Sequence, residues 1–237
     1  MFEAMAMADS RTSLTSLPGF DPRSVPVAAV DGHLPVIEKS RLRADSLQRR
    51  FEQPPAWQVE LLADSRLSDY LPVAASVLIP IVQRAQPTIL LTQRTAHLSS
   101  HSGQIACPGG KRDASDADLY ATALRETQEE VGLQANYVQL LGMLPIYATG
   151  TGFAITPVVG LVREGFSLVP NAHEVDEVFE VPLAFLMNPA NHRHHVFESP
   201  AGRREWLSIP YQDGATERFI WGATAGMLRN LYRFLLA

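Results

Sequence analysis

The stretch from Asp116 to Val131 constrains this chain more than any other. Tyr120, Ala123, Leu124, Thr127 and Val131 fall at the i, i+3, i+4, i+7 spacing of a helix that buries one face. Gly132 follows as a C-terminal cap. Beside the apolar stripe stand Glu126, Glu129 and Glu130, related by i+3 and i+4 and so confined to an arc about 100° wide. Each like-charge pair at that spacing costs about 0.2 to 0.5 kcal/mol, and acids in a last turn oppose the helix dipole by roughly 0.3 to 1 kcal/mol each. Asp116 and Asp118 suit the start of the helix, whereas Glu129 and Glu130 break the rule at its end. Contradictions of this kind collect at functional sites, and a bound cation reverses the penalty.

Ligation by carboxylate oxygens alone suits Mg2+ or Mn2+ and not zinc, which favours nitrogen and sulfur. The chemistry that calls for such a cluster is displacement at phosphorus, where metals neutralise phosphate oxygens and a bound water becomes a usable nucleophile. Arg125, one turn before Glu129, is placed to hold that carboxylate by an i,i+4 contact. The competing reading is a solvated charged helix.

Around this helix the pattern is of strands. Ala75 to Gln83 and Thr88 to Gln93 are short apolar runs parted by a polar turn with Pro87, which predicts paired strands, and Gly103 to Ala106 predicts a third. Val138 to Leu144, Phe153 to Val162 and Val178 to Val181 predict further strands. Leu183 to Met187 reads as a helical turn, and His194 to Glu198 with Arg204 to Ile209 as a polar hairpin. Trp221 to Leu236 is helical, with Ala223, Met227, Leu231 and Leu235 on one stripe. The fold class is therefore α/β in the α+β sense, a mixed sheet covered by helices. Residues 1 to 70 read as an N-terminal arm and 71 to 237 as the main domain. The arm carries Pro18, Pro22, Pro26 and Pro35 and one basic helix, Lys39 to Phe51, stopped by Pro54-Pro55. Its Arg41, Arg43, Arg49 and Arg50 read as a solvated face, with contact to a polyanion as the rival.

Composition removes several function classes. With 46% hydrophobic and 19% charged residues the chain is globular, and a net charge of -5 with a pI near 5.8 gives no pull toward nucleic acid or an anionic membrane. The one cysteine, Cys107, rules out an internal disulfide and reads as a small buried residue in a reducing compartment. The first residues lack the pattern of a signal peptide, and the apolar stretches near Leu71 to Val82 and Phe153 to Val162 fall short of the roughly 18 residues that span a bilayer. The expected location is the cytoplasm. His192, His194 and His195 could suggest a metal, but without a partner acid or cysteine at ligand spacing they read as part of a polar strand.

Pro108-Gly109-Gly110-Lys111 followed by Arg125-Glu126-Thr127-Gln128-Glu129-Glu130-Val131-Gly132 closely resembles the Nudix box. Leu90 to Arg94, His101, Gly103-Gln104, Thr122 to Glu126, Thr156 to Gly160, Glu174 to Leu183 and Phe219 to Ala225 are similar to the coenzyme A pyrophosphatase branch of that family. The spacing departs from the general box in one respect: eight residues lie between Asp116 and Arg125, and Asp116 stands where glutamate is usual. Cys107 and Thr127 replace the usual phenylalanine and apolar residue.

The resemblance implies a Nudix-like α/β/α sandwich and hydrolysis of the pyrophosphate of coenzyme A or acyl-coenzyme A. Glu126, Glu129 and Glu130 would be metal ligands or their partners for Mg2+ or Mn2+. Those three acids with Arg125, and Glu174 or Glu177 as general base, form the candidate catalytic set. Arg94, Gly109, Gly110 and Lys111 are candidate substrate contacts, with an internal salt bridge to the acidic helix the equal alternative for Arg94. The implied partner is a small nucleotide, and a homodimer is left open. Rival readings are ADP-ribose or NADH as substrate, a non-catalytic nucleotide-binding regulator, and RNA-end processing supported by the arginine-rich arm.

Overall fold

A computed structural model describes residues 20–61, 72–96, 103–199 and 202–237. His101 lies outside the described residues. The strands are β1 (Val27–Val30), β2 (Val73–Val82), β3 (Thr88–Arg94), β4 (Ile105–Ala106), β5 (Gly109–Lys111), β6 (Val138–Met143), β7 (Tyr147–Ala148), β8 (Phe153–Val162), β9 (Val175–Pro182), β10 (Arg193–Ser199), β11 (Gly202–Asp213) and β12 (Thr216–Trp221). The helices are α1 (Ala44–Glu52), α2 (Leu119–Val131), α3 (Leu183–Leu186) and α4 (Gly222–Leu236). None of them is long and apolar enough to cross a membrane.

The larger sheet is mixed and runs β4-β3-β2-β8-β6, with β5 joined to β2, β7 to β8 and β9 to β3. Its centre is the parallel pair β2 and β8, in register from Val73 beside Phe153 to Val82 beside Val162. Alternate residues face opposite sides. Leu78, Val82, Val158 and Val162 pack with Ala123 and Val131 of α2, whereas Val77, Ile79, Ile81, Val159 and Leu161 share a second core with Leu228 and Leu231 of α4. Burial on both faces is why β2 and β8 read as unbroken apolar runs and not as alternating ones. The result is an α/β/α sandwich.

Each central strand contains a proline, which cannot donate to a ladder. Pro80 falls between the segment of β2 that pairs with β5 (Ala75 to Val77) and the segment that pairs with β3 (Ile81 and Val82). Pro157 likewise falls between the β7 and β6 segments on β8. The two prolines thus sit where one edge of the strand changes partner. The expected pairing of β2 with β3 exists, but only at Ile81 with Ile89 and Val82 with Thr88.

A second sheet of four antiparallel strands, β1-β10-β11-β12, packs on α4. The hairpin expected from His194 to Ile209 is two of its strands; β12 and the arm's β1 were not expected. Exposed Val-Ala-Ala-Val gives β1 no alternation to read. The arm helix is also broken: a 3-10 turn over Lys39–Leu42 precedes α1, with extended Arg43 between them (ψ 152°). Leu42 and Leu47 enter the main core, and Phe51 packs on Phe234 with ring centroids 4.6 Å apart.

The arm is joined to α4 by charge. Arg41 and Arg50 donate to the carbonyls of Leu236 and Leu235 at 3.2 and 3.4 Å, meeting the negative end of the α4 dipole. The solvated-face reading therefore holds for Arg43 and Arg49, which lie beside Asp45, and not for these two. Arg229, 1% exposed in its side chain, ion-pairs with Glu60 at 2.8 Å and Asp31 at 3.0 Å.

Candidate active site

The acidic helix begins at Leu119, three residues later than the apolar spacing predicts. Asp118 is its N-cap, accepting from Ala121 N at 2.8 Å, and Gly132 closes it in the left-handed region at φ 74°. Asp116 lies outside the helix and is buried. Its carboxylate accepts from Arg125 Nε and Nη2 at 2.8 and 2.9 Å, from Asp113 N at 2.9 Å and from the Thr122 hydroxyl at 2.9 Å. The bonds from Arg125 hold the Asp116 carboxyl well below the usual carboxylate range, against the opposing effect of burial. Asp116 thus fixes Arg125, a role that its place six residues after Gly110 did not reveal.

Arg125 distributes that anchorage. Its Nη1 meets Glu126 Oε1 at 2.9 Å and Glu129 Oε2 at 3.1 Å, and its Nη2 donates to the Lys111 carbonyl at 3.1 Å. The expected i,i+4 contact to Glu129 is therefore present, and Arg125 acts on the acids as a positioning residue. Glu129 remains mostly exposed, whereas Glu126 and Glu130 turn inward.

Gly109 and Gly110 form β5 against β2, and each has its own reason to be glycine. A Cβ on Gly109, at φ 154°, would lie 2.4 Å from the Ser76 carbonyl oxygen. A Cβ on Gly110 would lie 2.4 Å from Glu126 Oε2, so the missing side chain makes the room this carboxylate occupies. Glu130 accepts from Gly109 N at 3.1 Å and faces Arg94 Nη1 at 3.4 Å. Burial pushes the Glu130 carboxyl up to about 7, despite those two partners, and burial also raises Glu126. The salt-bridge reading of Arg94 is thus met, while its Nε is buried with no partner.

β9 runs antiparallel to β3 with an irregularity at Gln93 and Arg94. Such bulges re-aim side chains beside active sites. Here the bulge brings the Glu174 carbonyl to Thr95 N at 3.0 Å and half-buried Glu174 near Glu126 and Glu130, whose protonated forms its charge favours. Asn171 donates to Glu174 at 3.4 Å, and its N–H bonds the Glu130 carbonyl at 2.8 Å. The other candidate base, Glu177, lies within β9 and is engaged elsewhere. Arg218 holds it through two bonds of 2.6 Å and keeps its carboxyl low.

The remaining expectations fall as follows. Lys111 is exposed, with its ammonium 5.7 Å from the centroid of Phe153. Cys107 is in the core, where burial pushes the thiol up to about 12, so it is no nucleophile at neutral pH. His192 bonds the Leu186 carbonyl at 2.7 Å, His194 meets Asp31 at 2.7 Å, and His195 lies between the Val25 carbonyl at 2.9 Å and Ser208 at 2.8 Å. These are structural bonds, as the polar-strand reading required. Thr127 is buried as its methyl allows, but its hydroxyl has no partner.

A model of the NUDIX domain matches residues 72–209, more than half of the chain. An uncharacterized Nudix hydrolase NudL of Salmonella paratyphi B is 45% identical over 197 residues, which cover 82% of this chain and 96% of that protein. The chain belongs to the Nudix family. A second NudL, from Citrobacter koseri, is 44% identical over 158 residues, covering 66% of this chain and 80% of its own. Among solved structures, a C. elegans Ap4A hydrolase binary complex is 22% identical, covers 50% of this chain and 85% of its own, and aligns with a TM-score of 0.40.

As a Nudix pyrophosphohydrolase, the protein hydrolyses a substrate built on a nucleoside diphosphate. Nudix hydrolases are in general dependent on divalent metal, and the donors here fit such an ion. They are carboxylate oxygens, the glycine turn leaves space at Glu126, and buried Glu130, met by Gly109 N and Arg94, would have its charged form favoured further by a cation. Among the described residues no three His, Cys, Asp or Glu side chains already close on one point. Glu129 is turned to Arg125.

Proposed function

We propose that this Nudix chain hydrolyses the pyrophosphate of coenzyme A or acyl-coenzyme A, giving 3',5'-ADP and (acyl-)4'-phosphopantetheine. The observation that carries the chemistry is the convergence of Glu126 and Glu130 on the Gly109-Gly110 turn, braced by Arg125 and faced by Arg94. The coenzyme A assignment is supported by the resemblance of Leu90 to Arg94, Pro108 to Gly110 and Phe219 to Ala225 to that branch.

In this reading Glu126, Glu129 and Glu130 hold Mg2+ or Mn2+, which supplies charge neutralisation and an acidified water. Glu174 takes the proton of the attacking water, being half-buried beside the acids. Arg94, Lys111 and the Gly109-Gly110 turn receive the pyrophosphate. Residues 71–237 carry the chemistry, and the described part of the 1–70 arm, residues 20–61, buttresses it through β1, Leu47 and Glu60.

The test is product analysis after incubation with coenzyme A, ADP-ribose and NADH in separate reactions, each with Mg2+, Mn2+ or EDTA. Metal-dependent release of 3',5'-ADP, faster than cleavage of the others and lowered about a hundredfold or more by Glu130→Gln, is expected. Cleavage of only ADP-ribose or NADH would discard the coenzyme A assignment.

A further inference from the structure

We propose that Phe153 is the platform on which the substrate's heteroaromatic base stacks, and that Lys111 is its movable cover, lying on the ring until a phosphate draws the ammonium away. The proposal rests on the reading of the substrate as a nucleoside diphosphate derivative.

Strand alternation sets up the arrangement. Gly110 faces the acids, since a Cβ there would strike Glu126, so the next residue of β5 projects from the opposite face. Lys111 sits beside Ala75 on β2, whose other neighbour is Ile155 on β8, two residues beyond Phe153. The long lysine stem crosses β2 and places Nζ 5.7 Å from the Phe153 centroid. The Lys111 carbonyl is tied to Arg125, so the backbone is fixed relative to the acids while the ammonium is not. Among the described residues Lys111 has no carboxylate partner.

The ring is partly exposed. Phe153 begins β8, half-exposed, beside Val73, which is 46% exposed; the residues that follow it along β8 are progressively buried. Gly152, at φ 87°, has no described atom within 4 Å of where a Cβ would stand. A solvent-exposed ammonium on an aromatic face is a weak contact, shifting populations by about twofold to fivefold. A phosphate offers the ammonium a full negative charge, and a base on the vacated ring gains about fivefold to a hundredfold in affinity. The exchange would couple phosphate recognition on one edge of β5 to base recognition beyond it.

The test uses adenosine 5'-monophosphate and ribose 5-phosphate, which differ only in the base, titrated calorimetrically with Mg2+ into the full chain. The wild type should prefer the nucleotide by at least about fivefold. Phe153→Ala should weaken the nucleotide about tenfold and leave ribose 5-phosphate within twofold. Phe153→Trp should retain nucleotide affinity, which separates stacking from damage to β8, and Lys111→Met should weaken both ligands alike. Equal affinity of the wild type for the two ligands, loss of both with Phe153→Ala, or nucleotide binding within twofold in that variant would overturn the proposal. With coenzyme A as substrate, Phe153→Ala should raise KM about tenfold with kcat within threefold. Cleavage with unchanged KM overturns the platform alone, and base-selective binding without cleavage overturns the coenzyme A reading alone.

Discussion

Acid should expose the cost of keeping His192 neutral. The ring is fully buried at the junction of arm, α4 and β10, and each nitrogen has an assigned partner. Nε2 lies 2.7 Å from the Leu186 carbonyl and must donate; Nδ1 lies 3.0 Å from Arg229 Nη1 and must accept. A proton on Nδ1 would face a guanidinium already committed to Glu60 and Asp31. Burial, the largest influence, lowers His192 from 6.5 to about 4, and Arg229 pushes the same way. The folded group therefore binds fewer protons than the unfolded one between those values. Its contribution to stability is present in full above about pH 6.5 and is lost as pH falls toward about 4. At about 1.4 kcal/mol per pH unit, the loss is roughly 3 kcal/mol. Buried Glu130, raised above its ordinary value, opposes this over the same range, so the wild-type curve alone is a poor witness. The informative quantity is the difference between wild type and His192→Gln in urea unfolding, taken in EDTA at several values between pH 7 and 4. The variant should be less stable at pH 7 and recover about 3 kcal/mol relative to wild type by pH 4. A difference constant within about 0.5 kcal/mol across that range would refute the neutral, buried assignment.

Asp116→Ala should lower turnover about tenfold by releasing Arg125 from the glutamates, and Asp116→Glu should restore most of it, as steady-state kinetics and apparent metal affinity would report; equal losses in both would show that Asp116 matters only for packing. Thr127→Val should raise stability by about 1 kcal/mol in urea unfolding, because it removes a buried hydroxyl that has no partner. Gly110→Ala should lower turnover by about tenfold or more while the unfolding midpoint moves little, since the added methyl meets the Glu126 carboxylate and not the core.

What the sequence made readable is what local periodicity can encode. β2, β8, α2 and α4 were found because each repeats an apolar pattern over two turns or more of helix, or over a strand buried on both faces. The three glutamates were found for a related reason: their placement contradicts the helix dipole. The features that escaped are set by distant partners. β1 is Val-Ala-Ala-Val with every residue exposed, and its only reason to be a strand is β10, more than 160 residues away. Asp116 reads as a helix-start acid until the fold places Arg125 against it. Glu174 and Glu177 are equivalent in a one-dimensional reading, and only β12, which delivers Arg218 to Glu177, separates them. The same asymmetry explains why reaction type is legible and substrate is not. The three glutamates lie within five residues of one helix, whereas the residues proposed to receive the rest of the substrate come from β3, β5 and β8, which are not adjacent in the chain. A family sharing one catalytic helix can therefore change its substrate by changing the strands around it, and the platform proposed above, Phe153, is a residue that no local motif marks.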